Sequence, residues 1–282
     1  MQGDTVPTVP LPSGERVPVL GQGTWRFAED AARSGDEIAA LRRGLDLGMT
    51  LIDTAEMYAD GAAESLVGRA IAGRRDEVFL VSKVLPHHAT RAGTVAACEA
   101  SLRRLGTDRL DLYLLHWPGS VPLTQTLAGF ADLQQAGLIR HWGVSNFDAA
   151  QMTDLVTLPG GSAAATDQIL YNLTRRGPEY DLLPWLRERG LPVMAYSPIE
   201  QGRLLAQPAL LDVAVRHDAS AAQVALAWVL GHEGVIAIPG SGDPDHVEQN
   251  RGALGVELTP QDLADLDAAF PPPLYPQPLD VL

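Results

Sequence analysis

The chain has 282 residues and a formal net charge of −14 at pH 7, and that acidity argues against nucleic acid or an anionic membrane as partner. Apolar residues make up 46% of it, enough for a sizeable core. One cysteine, Cys98, excludes an internal disulfide, and with no signal-peptide start and no 18-residue apolar run the chain reads as soluble and cytoplasmic.

Residues 1–19 read as a lead-in, with a hairpin signal around Ser13-Gly14 in LPSGERVP. Strand-like and helix-like runs then alternate. The strands are expected at Leu20–Gly23, Thr50–Asp53, Val78–Lys83, Leu110–His116, His141–Ser145, Ala165–Leu170, Pro192–Tyr196 and Val235–Pro239. Helices are expected at Gly35–Leu47, Ala62–Ala72, Arg91–Leu105, Thr124–Ala136, Asp148–Leu155, Tyr180–Glu188, Pro208–His217 with Ser220–Leu230, and Asp243–Leu254. Ser220 with Gln223 spells a capping box, Asp243-Pro244 a cap and first-turn proline, and Thr259-Pro260 starts a final helix. About eight β/α units without a linker predict an α/β protein with one domain over 1–282. The architecture is a closed (β/α)8 TIM barrel, with a doubly wound open sheet as the alternative. The tail, 271–282, is expected to lie across one barrel mouth. Cys98, inside a helical pattern, reads as buried filler.

Within this pattern one stretch stands out, TLIDTAEMY from Thr50 to Tyr58. Asp53 ends an apolar strand, where a carboxylate is costly unless paired. The chain contains twenty arginines and a single lysine, Lys83, which ends the next strand. Arginine replaces lysine at most exposed sites. It does not where a point charge must fit beside a phenol or a pKa must move. Polar residues recur at the other strand ends: His116, Ser145-Asn146, Gln168, Tyr196-Ser197 and Ser241. In a (β/α)8 barrel these ends meet at one mouth, where active sites lie. Singly they have plainer readings: an Asp53–Lys83 structural pair, a core His116, an Asn146 that caps the following helix.

Together they suggest carbonyl chemistry. An ammonium beside Tyr58 would lower its pKa from about 10. Asp53 would hold Lys83, and His116 would orient a carbonyl oxygen. No side chain supplies hydride, so a nicotinamide cofactor is implied. Gly21-Gln-Gly23 lacks the third glycine of a dinucleotide fingerprint. Ser145, Asn146 and Gln168 could instead bond an amide head group, with Tyr196 stacked on its ring.

The motifs LGQGTW, LIDTAEMY, GRAI, VSK, LDLYLLHWP, GVSNF, QILYN, AYSPI and IPGS–EQN resemble the aldo-keto reductases over nearly the whole chain. The resemblance implies NAD(P)H-dependent reduction of aldehydes or ketones, with Tyr58 as general acid, Lys83 and Asp53 tuning it, and His116 orienting the carbonyl. It implies cofactor contacts from Ser145, Asn146, Gln168, Tyr196, Ser197, Ser241, His246 and Asn250. Trp25, Met57 and Trp117 match the walls of the substrate pocket. A monomer is the family's habit.

Two departures carry expectations. NADPH-preferring members place a lysine after the Ile-Pro of strand eight and an arginine in the next helix; here Gly240 and His246 stand there, with Asp243 and Asp245 nearby. Relaxed use of NADP(H) and NAD(H) is expected, NADP(H) favoured. Short connections resemble the compact prokaryotic branch, which implies an open pocket for small aldehydes, dicarbonyls and keto sugars. Arg26 and Arg203 read as exposed loop charges, and His87-His88 as a loop near the mouth, with no metal site expected. Two other functions compete: a non-enzymatic NADP(H)-sensing regulatory subunit on this fold, and a Schiff-base lyase using Lys83, which Asp53 opposes.

Overall fold

The computed structural model describes residues 5–282, so the first four residues of the expected lead-in lie outside it. β1 (Thr8–Pro10) and β2 (Arg16–Pro18) form the expected antiparallel hairpin, Val9 opposite Val17, with Gly14 at φ +86° in its turn. Leu11 and Val17 enter a core with Leu51, Phe79 and Leu112, and Glu15 bonds His141 at 2.7 Å. The hairpin therefore plugs the barrel at the end where these strands begin.

Eight parallel strands follow, each paired with the next in the chain: β3 (Gln22–Gly23), β4 (Leu51–Asp53), β5 (Phe79–Val84), β6 (Leu110–Leu115), β7 (Ile139–Ser145), β8 (Asp167–Leu170), β9 (Val193–Tyr196) and β10 (Val235–Ala237). Parallel bridges from Leu20 to Ala237 and from Gly23 to Gly240 join first strand to last, which closes the sheet. At this seam a Cβ on Gly23 would lie 2.8 Å from the Ile238 carbonyl oxygen, and one on Gly240 3.0 Å from that of Gly23. The glycines of the GQG stretch thus serve close strand approach, not a nucleotide turn.

Strand side chains alternate with period 2. Leu51, Phe79, Val81, Leu112, Leu114, Met194 and Ile236 fill the interior, while Ile52, Leu80 and Tyr113 pack outward in the larger core shared with the helices. Two residues beyond Leu51, Val81, Leu114 and Met194, the same parity reaches Asp53, Lys83, His116 and Tyr196. The apolar stack ends in a polar layer at one mouth.

Ten helices surround the sheet among the described residues: α1 (Ser34–Asp46), α2 (Ala62–Ile71), α3 (Arg91–Leu105), α4 (Leu123–Gln135), α5 (Ala149–Thr157), α6 (Leu182–Glu188), α7 (Pro208–Arg216), α8 (Ala221–Leu230), α9 (Pro244–Gly252) and α10 (Pro260–Ala269). The capping boxes at Ser220 and Thr259 form, and Asp243 caps α9 through the Asp245 N–H. α5 is capped by Asp148 with Gln151, so Asn146 is not its cap. α6 starts two residues later than expected because Gly177–Glu179 makes a 3-10 turn. Cys98 is fully buried, and burial pushes its thiol up to about 12; it fills the core. No helix among the described residues is long and apolar enough to cross a membrane.

Candidate active site

Asp53, the last residue of β4, and Lys83 on β5 are brought side by side by the pairing of their strands. Lys83 Nζ donates to Asp53 Oδ2 at 2.7 Å and to the Thr54 carbonyl at 2.9 Å, and lies 3.0 Å from the Tyr58 hydroxyl oxygen. Tyr58 opens a 3-10 turn, Tyr58–Gly61, whose left-handed residues swing the chain into α2. Its ring packs 5.0 Å from Trp25 and 5.9 Å from His116, centroid to centroid. Lys83 is 0% exposed, Asp53 2% and Tyr58 8%. A charge so buried persists only when paired and bonded, and here the ammonium has three partners.

Burial disfavours the Lys83 ammonium, but the charges and hydrogen bonds of Asp53 and Tyr58 outweigh it and hold its pKa above the ordinary lysine value. For Tyr58 the balance runs against the sequence expectation. Burial raises its pKa; Lys83 pulls it down by charge and hydrogen bond, Asp53 raises it, and the net lies above the ordinary phenol value. Loss of water outweighs the ammonium because Asp53 neutralises much of that charge. The phenol therefore stays protonated at neutral pH, the form a proton donor needs. His116 is held down to about 2 by burial and by Lys83, so its imidazole is neutral across the working pH range. Its buried Nδ1 has no hydrogen-bond partner among the described residues.

The remaining strand ends form a linked set. Ser145 Oγ donates to the Gln168 carbonyl at 2.8 Å. Asn146, at φ +60°, donates to the His116 carbonyl and to Ser145 Oγ, each at 3.1 Å, and accepts from Tyr196 OH at 2.9 Å. Gln168 Nε2 donates to Asp53 Oδ1 at 2.8 Å, which leaves Oε1 as an acceptor.

All of this lines one cleft of about 740 Å³. Asp53, Met57, Tyr58, His116, Ser145, Asn146, Gln168, Tyr196, Ser197 and His246 border it, with Trp25 and Trp117 at the lip. Lys83 stands behind Asp53 and Tyr58. Ser241 and Asn250 lie outside the lining: Ser241 bonds Asp243 at the cap of α9, and Asn250 is buried on that helix. Arg26 is at the cleft wall, while Arg203 is tied to Glu200 at 2.8 Å. His88 bonds Glu56 at 3.0 Å. The expected crossing of the tail is present: Leu282 lines the cleft and Asp280 reaches Arg175 at 3.5 Å. Two stretches were not anticipated from sequence. One is the loop beyond Ser197, residues 198–202, with left-handed Glu200 and Gln201. The other holds Arg33, whose guanidinium approaches Gly242 beyond β10. Nothing local marks either.

The cleft fits a nicotinamide cofactor. Amide and hydroxyl side chains and an aromatic ring are gathered at its floor beside the buried phenol of Tyr58, and Gly240 and His246 border it near the N-terminus of α9. Such an end suits phosphate.

The aldo/keto reductase family model matches residues 19–270. Over 271 residues the chain is 54% identical to methylglyoxal reductase YeaE of Escherichia coli K12, covering 94% of this chain and 95% of that protein. It is 30% identical to methylglyoxal reductase DkgB of Escherichia coli O157:H7, covering 87% and 90%. A Klebsiella pneumoniae aldo/keto reductase solved with NADP and acetate superposes with a TM-score of 0.95 at 49% identity, over 98% of this chain and 99% of that one. The same values hold for a Klebsiella pneumoniae structure with NADPH.

Proposed function

The chain belongs to the aldo/keto reductase family, and from that premise we propose which residues carry its reaction and on what substrates. It is an NADP(H)-dependent oxidoreductase that reduces aldehydes and ketones to alcohols. Bound NADPH supplies the hydride. The neutral His116 imidazole hydrogen-bonds the substrate carbonyl oxygen and turns it toward Tyr58. As negative charge develops on that oxygen, Tyr58 OH gives it a proton. Lys83 Nζ, 3.0 Å from the phenol oxygen, stabilises the phenolate left behind. Asp53 keeps Lys83 charged and in place. Ser145, Asn146 and Gln168 would hold the carboxamide of the bound cofactor, and Tyr196 would stack on its ring. The observation that carries this reading is the single chain of contacts Asp53–Lys83–Tyr58 at 2.7 and 3.0 Å. A regulatory cofactor sensor has no use for that contact.

For substrate we propose small aldehydes and dicarbonyls of the methylglyoxal kind, with keto sugars as a second class. The likeness to methylglyoxal reductases supports this, as does a cleft whose walls, Trp25, Met57 and Trp117, offer apolar faces. Residues 1–282 are read as one such unit, a cytoplasmic monomer. A spectrophotometric screen at the reduced-nicotinamide band tests the substrate class. Methylglyoxal turned over with NADPH is the expected result, and no turnover of any small carbonyl defeats the reading.

A further inference from the structure

We propose that Arg33, on the loop between β3 and α1, supplies the cation that grips the 2′-phosphate of NADP(H). The proposal rests on the cleft being the NADP(H) site and names the residue that would select the phosphate.

The problem it answers is electrostatic. The turn after β10 carries Asp243 and Asp245, and Glu37 reaches the same turn: a Cβ on Gly242 would lie 2.9 Å from its Cγ. A phosphate monoester beside three carboxylates needs a compensating charge. The expected positions do not supply a permanent one, being Gly240 and His246, and His246 Nδ1 is 4.0 Å from Asp243. Neighbouring arginines are committed: Arg43 pairs with Glu248 at 2.7 Å, and Arg251 donates to the Leu47 carbonyl at 3.2 Å.

Arg33 is different. The same Cβ on Gly242 would lie 3.4 Å from Arg33 Nη2. The guanidinium thus lies against Gly242, in the turn between β10 and α9. Its side chain makes no ion pair or hydrogen bond among the described residues. Two contacts fix its loop: Asp30 accepts from Ala32 N–H at 2.9 Å, capping the 3-10 turn Ala31–Arg33, and buried Glu37 accepts from Ala28 N–H at 3.0 Å. A planar donor fork in the turn that leads into α9, with no carboxylate pairing it, is suited to bidentate phosphate recognition. Gly242 makes room for it, since any side chain there would meet Glu37.

The test is calorimetric titration of adenosine 2′,5′-bisphosphate and 5′-AMP, which differ only in the 2′-phosphate, into wild type, Arg33→Ala and Arg33→Lys. Arg33→Ala should weaken the bisphosphate about ten- to a hundredfold, as for loss of a charged hydrogen bond, and change 5′-AMP by less than about twofold. Arg33→Lys should recover part of the loss. Equal effects on both ligands, or none, overturn the proposal. Selective loss of the bisphosphate in a protein that reduces no carbonyl would uphold this site and sink the catalytic reading, so the two fail separately.

Discussion

Gln168 Nε2 donates to Asp53 Oδ1 across 2.8 Å, while Lys83 takes the other carboxylate oxygen at 2.7 Å. One amide can therefore serve two sites: its nitrogen steadies the acid that holds Lys83, and its oxygen is left to accept from the carboxamide in the proposed cofactor site. Gln168→Leu should hence weaken NADPH and also lower kcat, each by roughly tenfold, because it leaves a buried charged acceptor short of a donor. Fluorescence titration and steady-state rates check it. A change in NADPH affinity alone would show that Asp53 does not depend on Gln168.

Tyr58→Phe removes the proposed proton donor and little else. NADPH affinity should hold, and kcat on methylglyoxal should fall by about 10²- to 10⁴-fold. Because burial keeps the phenol above its ordinary pKa, wild-type reduction should stay flat through neutral pH and decline only above about 10. A variant near the wild-type rate would defeat the acid assignment.

Lys83→Met leaves the Asp53 carboxyl buried with Gln168 as its remaining side-chain partner. The cost should be roughly 3–5 kcal/mol of stability, together with most of the rate. Adding Asp53→Asn removes the stranded carboxyl. The double variant should regain much of the urea midpoint at unchanged m-value and none of the activity. If stability does not return, the pair is not what the fold pays to bury.

Acid sensitivity should trace to His116. Its folded pKa is held down to about 2, against about 6.5 unfolded. Below 6.5 the unfolded chain takes up a proton the folded one refuses, so stability falls as pH drops from about 6.5 toward 2 and is level above. The slope is about 1.4 kcal/mol per pH unit, or about 2 kcal/mol lost by pH 5. Urea unfolding of wild type and His116→Gln at pH 7 and pH 5 measures it; equal losses in both would refute the attribution.

The tail closes one side of the cleft through Leu282, with Asp280 at 3.5 Å from Arg175. Deleting 280–282 should widen that side. The ratio of kcat/KM for an aromatic aldehyde to that for methylglyoxal should rise roughly tenfold, the scale of a relieved pocket contact. An unchanged ratio would mean that Leu282 is no wall for substrate.

Much of the molecule could be read from the chain because the signals are local. Alternating apolar runs marked all eight barrel strands, and caps such as Ser220 and Thr259 act within one turn. A lone lysine ending a strand pointed to its own role, since its neighbour in the chain order of strands is also its neighbour in the sheet. Three of the four residues proposed for the chemistry are legible for that reason: Asp53, Lys83 and His116 follow one parity on consecutive strands, whereas Tyr58 comes from a turn.

What the tertiary structure alone decided has a different physical origin. The direction of the Tyr58 shift depends on how much water is removed against how much of the Lys83 charge Asp53 cancels, and both are sums over the folded surroundings. The Gln168–Asp53 bond spans 115 positions in the chain, and Arg33 meets Gly242 only because barrel closure sets the first strand against the last. Periodicity specifies which face a side chain takes, whereas charge balance depends on which faces end up within a few ångströms of one another.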